Sequence, residues 1–419
     1  MDTRVQELVE YTINKFGLNQ YYLQNYHFNR TVNSFNETVY TLSMEFFPNH
    51  AEKDDDDDDD DSNPDGTACI EINIENRKFT SVIFVMGKSY TENGVVYNGE
   101  MEEIIEWVEN ETGLTYGKHF QIHKEEKGEV YFKACINSIS VSPSGWINIK
   151  FNEEGKLTLF SVFGEFPSIE VAEEFSLNLD KIDHLKKEQI KLINFPSYEE
   201  KKLYSIYAVE EIYITNDGTR TIPFEIFKDE KVGQTIYWEE PLNTSFERKY
   251  INWMGEISAE QAFACEPSPD IFPITELEQE KCISAVRDFL RQEYPNDSGK
   301  WVLKSLSREK GYIHATLNAN SQDNYVFQRK MKVWIDPEHF KVDNYMDNDV
   351  MLETFNEFQP SDKGTITKED AYEMLEEYFE LIPTFVYDEK QQRYVLCGKL
   401  DCRYSVNAAS GEVVSLDEI

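Results

Sequence analysis

Eight consecutive aspartates, Asp54–Asp61, run into Ser62-Asn63-Pro64-Asp65-Gly66 and make the densest concentration of ligand-type side chains in the sequence. Hard divalent cations take several oxygen ligands, and Asp61, Asn63 and Asp65 ahead of Gly66 imitate the opening of a calcium loop. The imitation stops there. The twelfth position counted from Asp61 is Ile72, where a bidentate Glu is needed, and Pro64 interrupts the loop. Adjacent carboxylates repel one another, so the stretch reads first as a solvated loop joining two strands. Cation binding through Asp61, Asn63 and Asp65 is the lesser reading.

Other residue types with chemical potential are scattered. His119 and His123 (HFQIH) would share a face if both lay on one strand, but Glu125 and Glu126 fall at no diagnostic spacing and H-E-x-x-H is absent. Two surface histidines are the expectation. No G-x-S-x-G occurs, and the Ser-Pro-Ser-Gly at Ser144 reads as a turn. Neither phosphate-binding glycine pattern is present. Glu102-Glu103 and Glu376-Glu377 fall on outward helix faces, whereas two-carboxylate catalysis needs side chains converging in a cleft. The cysteines, Cys69, Cys135, Cys265, Cys282, Cys397 and Cys402, show no C-x-x-C and read as reduced, buried thiols. Cys397 and Cys402 would face opposite sides of an unbroken strand, against a disulfide between them. No catalytic residue, cofactor or metal site is therefore assigned, with Asp61, Asn63 and Asp65 as weak metal candidates.

The elements that would position these residues alternate in a regular way. Five times an amphipathic helix precedes two to four strand-like runs. Over residues 3–16, Val5, Leu8, Val9, Thr12 and Phe16 share a face, and Gly17 can close the helix. Strands follow around 21–29, 38–47, 68–74 and 79–86. A second helix, capped by Asn98, carries Met101, Ile104, Ile105 and Val108, and an antiparallel meander including WINIKF (146–151) follows. A third, Lys-rich helix spans about 179–194, with strands around 203–215 and 222–238 flanking Asn216-Asp217-Gly218. The proline-rich stretch 239–273 reads as a connector with a short helix. The fourth and fifth helices open on capping boxes, Thr275 with Glu278 and Thr367 with Asp370. The expected fold class is α+β, in tandem repeats of one helix packed on a small antiparallel β-sheet. The expected modules are 1–96, 97–168, 169–272, 273–347 and 348–419.

Composition limits the function. With 27 Phe and 24 Tyr among 419 residues, the chain should bury substantial cores. Its 79 acidic and 41 basic residues give a net charge of −38, which repels phosphate backbones and anionic headgroups and so disfavours nucleic acid and membrane surfaces as partners. A basic protein partner is favoured instead. Residues 1–17 hold no continuous apolar segment and no window approaches a membrane span, so a cytoplasmic location is expected.

Thr365–Ala371 (TITKEDA) and residues 393–414 (RYVLCGKLDCRYSVNAASGEVV) resemble the PepSY-type pattern, a helix start followed by strands and a terminal hairpin. Val333–Asp343 (VWIDPEHFKVD) occupies the matching place upstream, and Ala134–Phe163 resembles the companion FTP-like unit. Repetition of such units resembles the YcdB/YcdC repeat family. The resemblance implies cystatin-like modules and transfers no agreed enzymatic activity; related modules in protease propeptides inhibit or assist folding. The expectation is a non-catalytic interaction or regulatory protein whose partner is basic or presents an extended segment. A hydrolase with an inter-module site, and a divalent-cation or small-ligand sensor using the Asp-rich loop, are the alternatives.

Overall fold

The structure is a computed structural model that describes the chain except residues 51–62, 98, 168–172, 225–229, 252–254, 321–326 and 419. Its elements run in the order α1 (Thr3–Phe16), β1 (Tyr21–Val32), β2 (Thr38–Pro48), β3 (Ala68–Asn73), β4 (Phe79–Phe84), α2 (Met101–Thr112), β5 (Phe120–Glu126), β6 (Glu129–Ile136), β7 (Ile139–Ser142), β8 (Trp146–Phe151) and β9 (Leu157–Phe163). There follow α3 (Asp183–Gln189), β10 (Ile190–Ser197), β11 (Lys202–Val209), β12 (Ile212–Thr215), β13 (Thr221–Pro223), β14 (Glu230–Ile236), α4 (Ala259–Phe263) and α5 (Glu276–Glu293). The last are β15 (Trp301–Glu309), β16 (Tyr312–Ala319), β17 (Lys330–Asp336), β18 (Lys341–Asp347), α6 (Asp349–Glu353), α7 (Lys368–Leu375), β19 (Glu380–Asp388), β20 (Arg393–Asp401), β21 (Tyr404–Asn407) and β22 (Val413–Ser415).

The chain is mostly β, and its strands pair into sheets of 13, 4 and 5 strands. This corrects the expected α+β class of tandem helix-on-small-sheet repeats. The reason lies at the strand edges. A small sheet standing alone exposes unpaired amide and carbonyl groups, and pairing with another sheet removes that edge. Thus β4 does not end its sheet but pairs with β9 through Ser81↔Ser161, Val82↔Phe160 and Ile83↔Leu159. Likewise β11 takes β21 (Tyr207↔Val406), β12 takes β20 (Ile214↔Gly398) and β14 takes β15 (Ile236↔Trp301). Alternation in sequence locates a strand but does not name its partner.

Two compact units result: Met1–Ala172 with Gly255–Ile271 and Phe385–Tyr394, and Glu173–Met254 with Phe272–Thr384 and Val395–Ile419. In the first, α1 buries Val5, Leu8, Val9, Thr12 and Phe16 as its spacing predicts. Gly17 closes the helix at φ 65°, and a Cβ there would lie 2.0 Å from the Glu92 carbonyl oxygen, so glycine is required. Ile104 and Val108 of α2 join the same core, and Trp107 meets Phe160 edge-on at 4.8 Å. The expected cap Asn98 lies outside the described residues; Glu100 occupies the position before Met101 without a side-chain cap bond.

In the second unit, α5 packs Cys282, Val286, Phe289 and Leu290 against Trp301, Leu303, Ile313 and Val333 of a sheet ordered β14-β15-β16-β17-β18. A separate core gathers Ala371, Tyr372 and Leu375 of α7 with Ile190, Ile214, Leu400 and Val406. Both capping boxes form. The expected helix over 179–194 is corrected: α3 covers only Asp183–Gln189, and residues from Ile190 pair with β11 as a strand. The β-branched Ile190 and Ile193 and the aromatic Phe195 favour a pleated surface over a helix.

Candidate functional site

The residues singled out for metal chemistry do not converge. Asp61 and the rest of the Asp54–Asp61 run lie outside the described residues. Asp65 is ion-paired to Lys88 at 2.5 Å, and the Asn63 amide nitrogen points to the Cys69 sulfur at 3.7 Å. His119 precedes β5 and uses Nδ1 to accept the Thr115 amide at 2.9 Å. His123 falls at an irregularity in the β5–β6 register and packs edge-on against Trp146 at 5.6 Å. Burial and nearby lysines lower both imidazoles below their ordinary range. Glu102, Glu103, Glu376 and Glu377 are exposed. All six cysteines are free thiols, with Cys265 exposed. Among the described residues, no three His, Cys, Asp or Glu side chains gather in a way that could hold a metal ion.

A different region supplies a cleft. It measures about 710 Å³, lies within the second unit along β18, and falls in the size range of ligand and peptide pockets. Strand β18 ends the five-stranded sheet, and its residues Asn344–Asp347 form one wall. The start of α6 (Asp349, Val350) extends that wall, and Arg248, Tyr250 and Ile251 also line the cleft. Met346, Val350 and Tyr250 are 66%, 76% and 90% exposed, so the mouth presents large apolar side chains to water. Such a concentration marks an interaction surface more often than an isolated apolar residue does.

The floor is polar but internally satisfied. Arg329 binds Asp347 through two bonds, Nε to Oδ1 at 3.2 Å and Nη2 to Oδ2 at 2.7 Å, and reaches Asp349 at 3.0 Å. Tyr294 donates its hydroxyl to Asp347 Oδ2 at 2.8 Å. Burial alone would raise the Asp347 carboxyl, yet the Arg329 and Tyr294 bonds hold it below the usual carboxylate range. Burial, and then the same carboxylate, drive the Tyr294 hydroxyl upward. Arg329 also lies 5.1 Å from the Trp301 ring centre and 5.7 Å from that of Tyr294, while Arg248 lies 4.0 Å above Tyr345. Both arginines thus rest on aromatic faces, a cation–π arrangement. The Tyr345 hydroxyl donates to Glu293 at 3.0 Å.

Sequence reasoning missed this cleft entirely. Residues 239–273 read as a connector, and Arg329 and Asp347 are far apart in sequence with no spacing that links them.

No family model matches the chain, and no curated protein matches it. Among solved structures, the Bacillus megaterium YpeB C-terminal domain is similar over 83% of this chain and 97% of that chain, at 6% identity. The TM-score of 0.23 is too low to carry an argument about fold or site. Among the described residues, no helix is long and apolar enough to cross a membrane.

Proposed function

We propose that the chain is a non-catalytic interaction or regulatory protein that receives a segment of a partner protein in the β18 cleft. The observation that supports this most is the pairing of apolar rim and locked floor. Catalytic acids and bases hold pKa values near the working pH. Here Arg329 and Tyr294 hold Asp347 ionised, while burial and then the Asp347 carboxylate keep Tyr294 protonated, so neither is poised to move a proton. What the cleft offers is exposed apolar area at Met346 and Val350, whose burial by a partner is favourable. The acidity of the whole chain favours a basic partner and disfavours nucleic acid and membrane surfaces. The local resemblance of residues 365–414 to PepSY-type units, and of the chain to the YcdB/YcdC repeat family, belongs to the same proposal and adds no activity.

The test is a pull-down of tagged protein from host lysate at low and moderate salt, run beside the double variant Met346→Asp, Val350→Asp. One partner retained by the wild type at moderate salt and lost from the variant supports the reading. A set of basic proteins that all wash away as salt rises, equally from both, counts against it.

A further inference from the structure

The segment Phe246–Ile251 (FERKYI) runs along the outer edge of β18, and its contacts show what that edge can recognise. Phe246 packs 5.8 Å from the Tyr345 ring and 5.0 Å from Phe289. Arg248 stacks on Tyr345. The Lys249 amide donates to the Asp343 carbonyl at 2.8 Å, its ammonium to Asp343 Oδ1 at 2.6 Å, and its carbonyl accepts from Asn344 Nδ2 at 2.8 Å. In a chain of net charge −38, two adjacent cations are here seated on a carboxylate and an aromatic ring.

We propose that the outer edge of β18 is a docking edge for a basic, aromatic-bearing peptide segment of a partner, and that residues 246–251 occupy it as an intramolecular stand-in. This deepens, and rests on, the reading of the chain as an interaction protein. The stand-in is anchored at its two ends, by Phe246 on the core and by buried Ile251, while between them Arg248, Lys249 and Tyr250 are exposed and, among the described residues, one backbone bond joins the segment to β18. Segments with few backbone bonds and high exposure open at low cost. It also leaves Met346 and Val350 uncovered, where the apolar side chains of an incoming segment would lie. An edge strand accepts added backbone by strand addition, with side-chain pockets supplying selectivity. The selectivity here is for cations, from the Asp343 carboxylate and the Tyr345 face.

The experiment uses the full chain and a fluorescent synthetic peptide with the sequence of residues 244–251, together with a version in which its Arg and Lys are replaced by Glu. Binding is read by anisotropy for the wild type, for the double variant Arg248→Ala, Lys249→Ala, and for Phe246→Ala, which weakens the stand-in by removing its ring contacts with Phe289 and Tyr345 and leaves β18 unchanged. The basic peptide should bind both variants about tenfold or more tightly than the wild type, and the acidic peptide none of them. Adding Asp343→Asn to the double variant should abolish the gain. Equal binding to wild type and variants, equal binding of the two peptides, or no binding to either variant overturns the proposal. A native partner captured at the cleft without peptide binding removes this inference alone. Peptide binding without any captured partner removes the functional reading instead.

Discussion

Replacing Glu278 tests whether the start of α5 is held as the structure shows. Glu278 Oε2 accepts from the Thr275 amide and hydroxyl, each at 2.9 Å, and the Thr275 hydroxyl accepts the Glu278 amide at 3.3 Å. Its other oxygen binds Arg308 Nη2 at 2.6 Å, with only 13% of the Arg308 side chain exposed. Burial raises the carboxyl, but the Thr275 amide, Arg308 and the Thr275 hydroxyl outweigh it and bring the pKa down from 4.5 to about 2. At full strength a shift of that size is worth about 3 kcal/mol, and solvent screening at a helix start reduces it to about 1–2 kcal/mol. Because the folded value is depressed, this stabilisation is complete above pH 4.5 and disappears as pH falls toward 2. Glu278→Ala, which also loses the capping return, should cost about 2 kcal/mol at pH 7. Glu278→Gln keeps the capping reach and loses the charge, and should cost about 1–2 kcal/mol there. Urea unfolding at pH 7, 4.5 and 3 measures both. The gap between wild type and Glu278→Gln should narrow steadily as the acid form fills. A gap that is constant to pH 3, or that widens, refutes the reasoning.

Phe160 is fully buried and meets Trp107 from α2, so Phe160→Ala should lower stability by about 3–5 kcal/mol in denaturant titrations. Met346→Asp with Val350→Asp changes exposed side chains and should move stability by no more than about 0.5 kcal/mol, which separates lost binding from lost folding in calorimetry. Iodoacetamide at pH 8, followed by mass spectrometry, should modify exposed Cys265 first, and Cys282 last because burial pushes its thiol up to about 12. Calcium at millimolar concentration should leave the melting temperature unchanged, since Asp65 is engaged by Lys88 and Asn63 by Cys69; a rise reversed by chelator would restore the cation-sensor reading.

Local signals in the sequence were reliable where one element satisfies itself. The α1 stripe from Val5 to Phe16, the Thr275–Glu278 and Thr367–Asp370 boxes and the strand Trp146–Phe151 all follow from spacing over a few residues. Pairings such as β4 with β9, or β11 with β21, depend on which distant edge closes on which, and alternation carries no information about that. The cleft was hidden for the same reason. Arg329 binds Asp347 because the register Met331↔Asp347 brings β17 and β18 together, and Arg248 reaches Tyr345 only after residues 239–251 fold back on the sheet. The Lys-rich residues 179–194 misled in the opposite sense, because a strand beginning at Ile190 follows directly on α3.

Hydrogen exchange of the full chain, with and without the partner retained at moderate salt, tests the central claim most directly. Partner-dependent protection confined to residues 341–350, with faster exchange in the displaced 246–251 segment, is the predicted result. Protection elsewhere, with residues 341–350 unchanged, would contradict the assignment of the β18 cleft as the binding site.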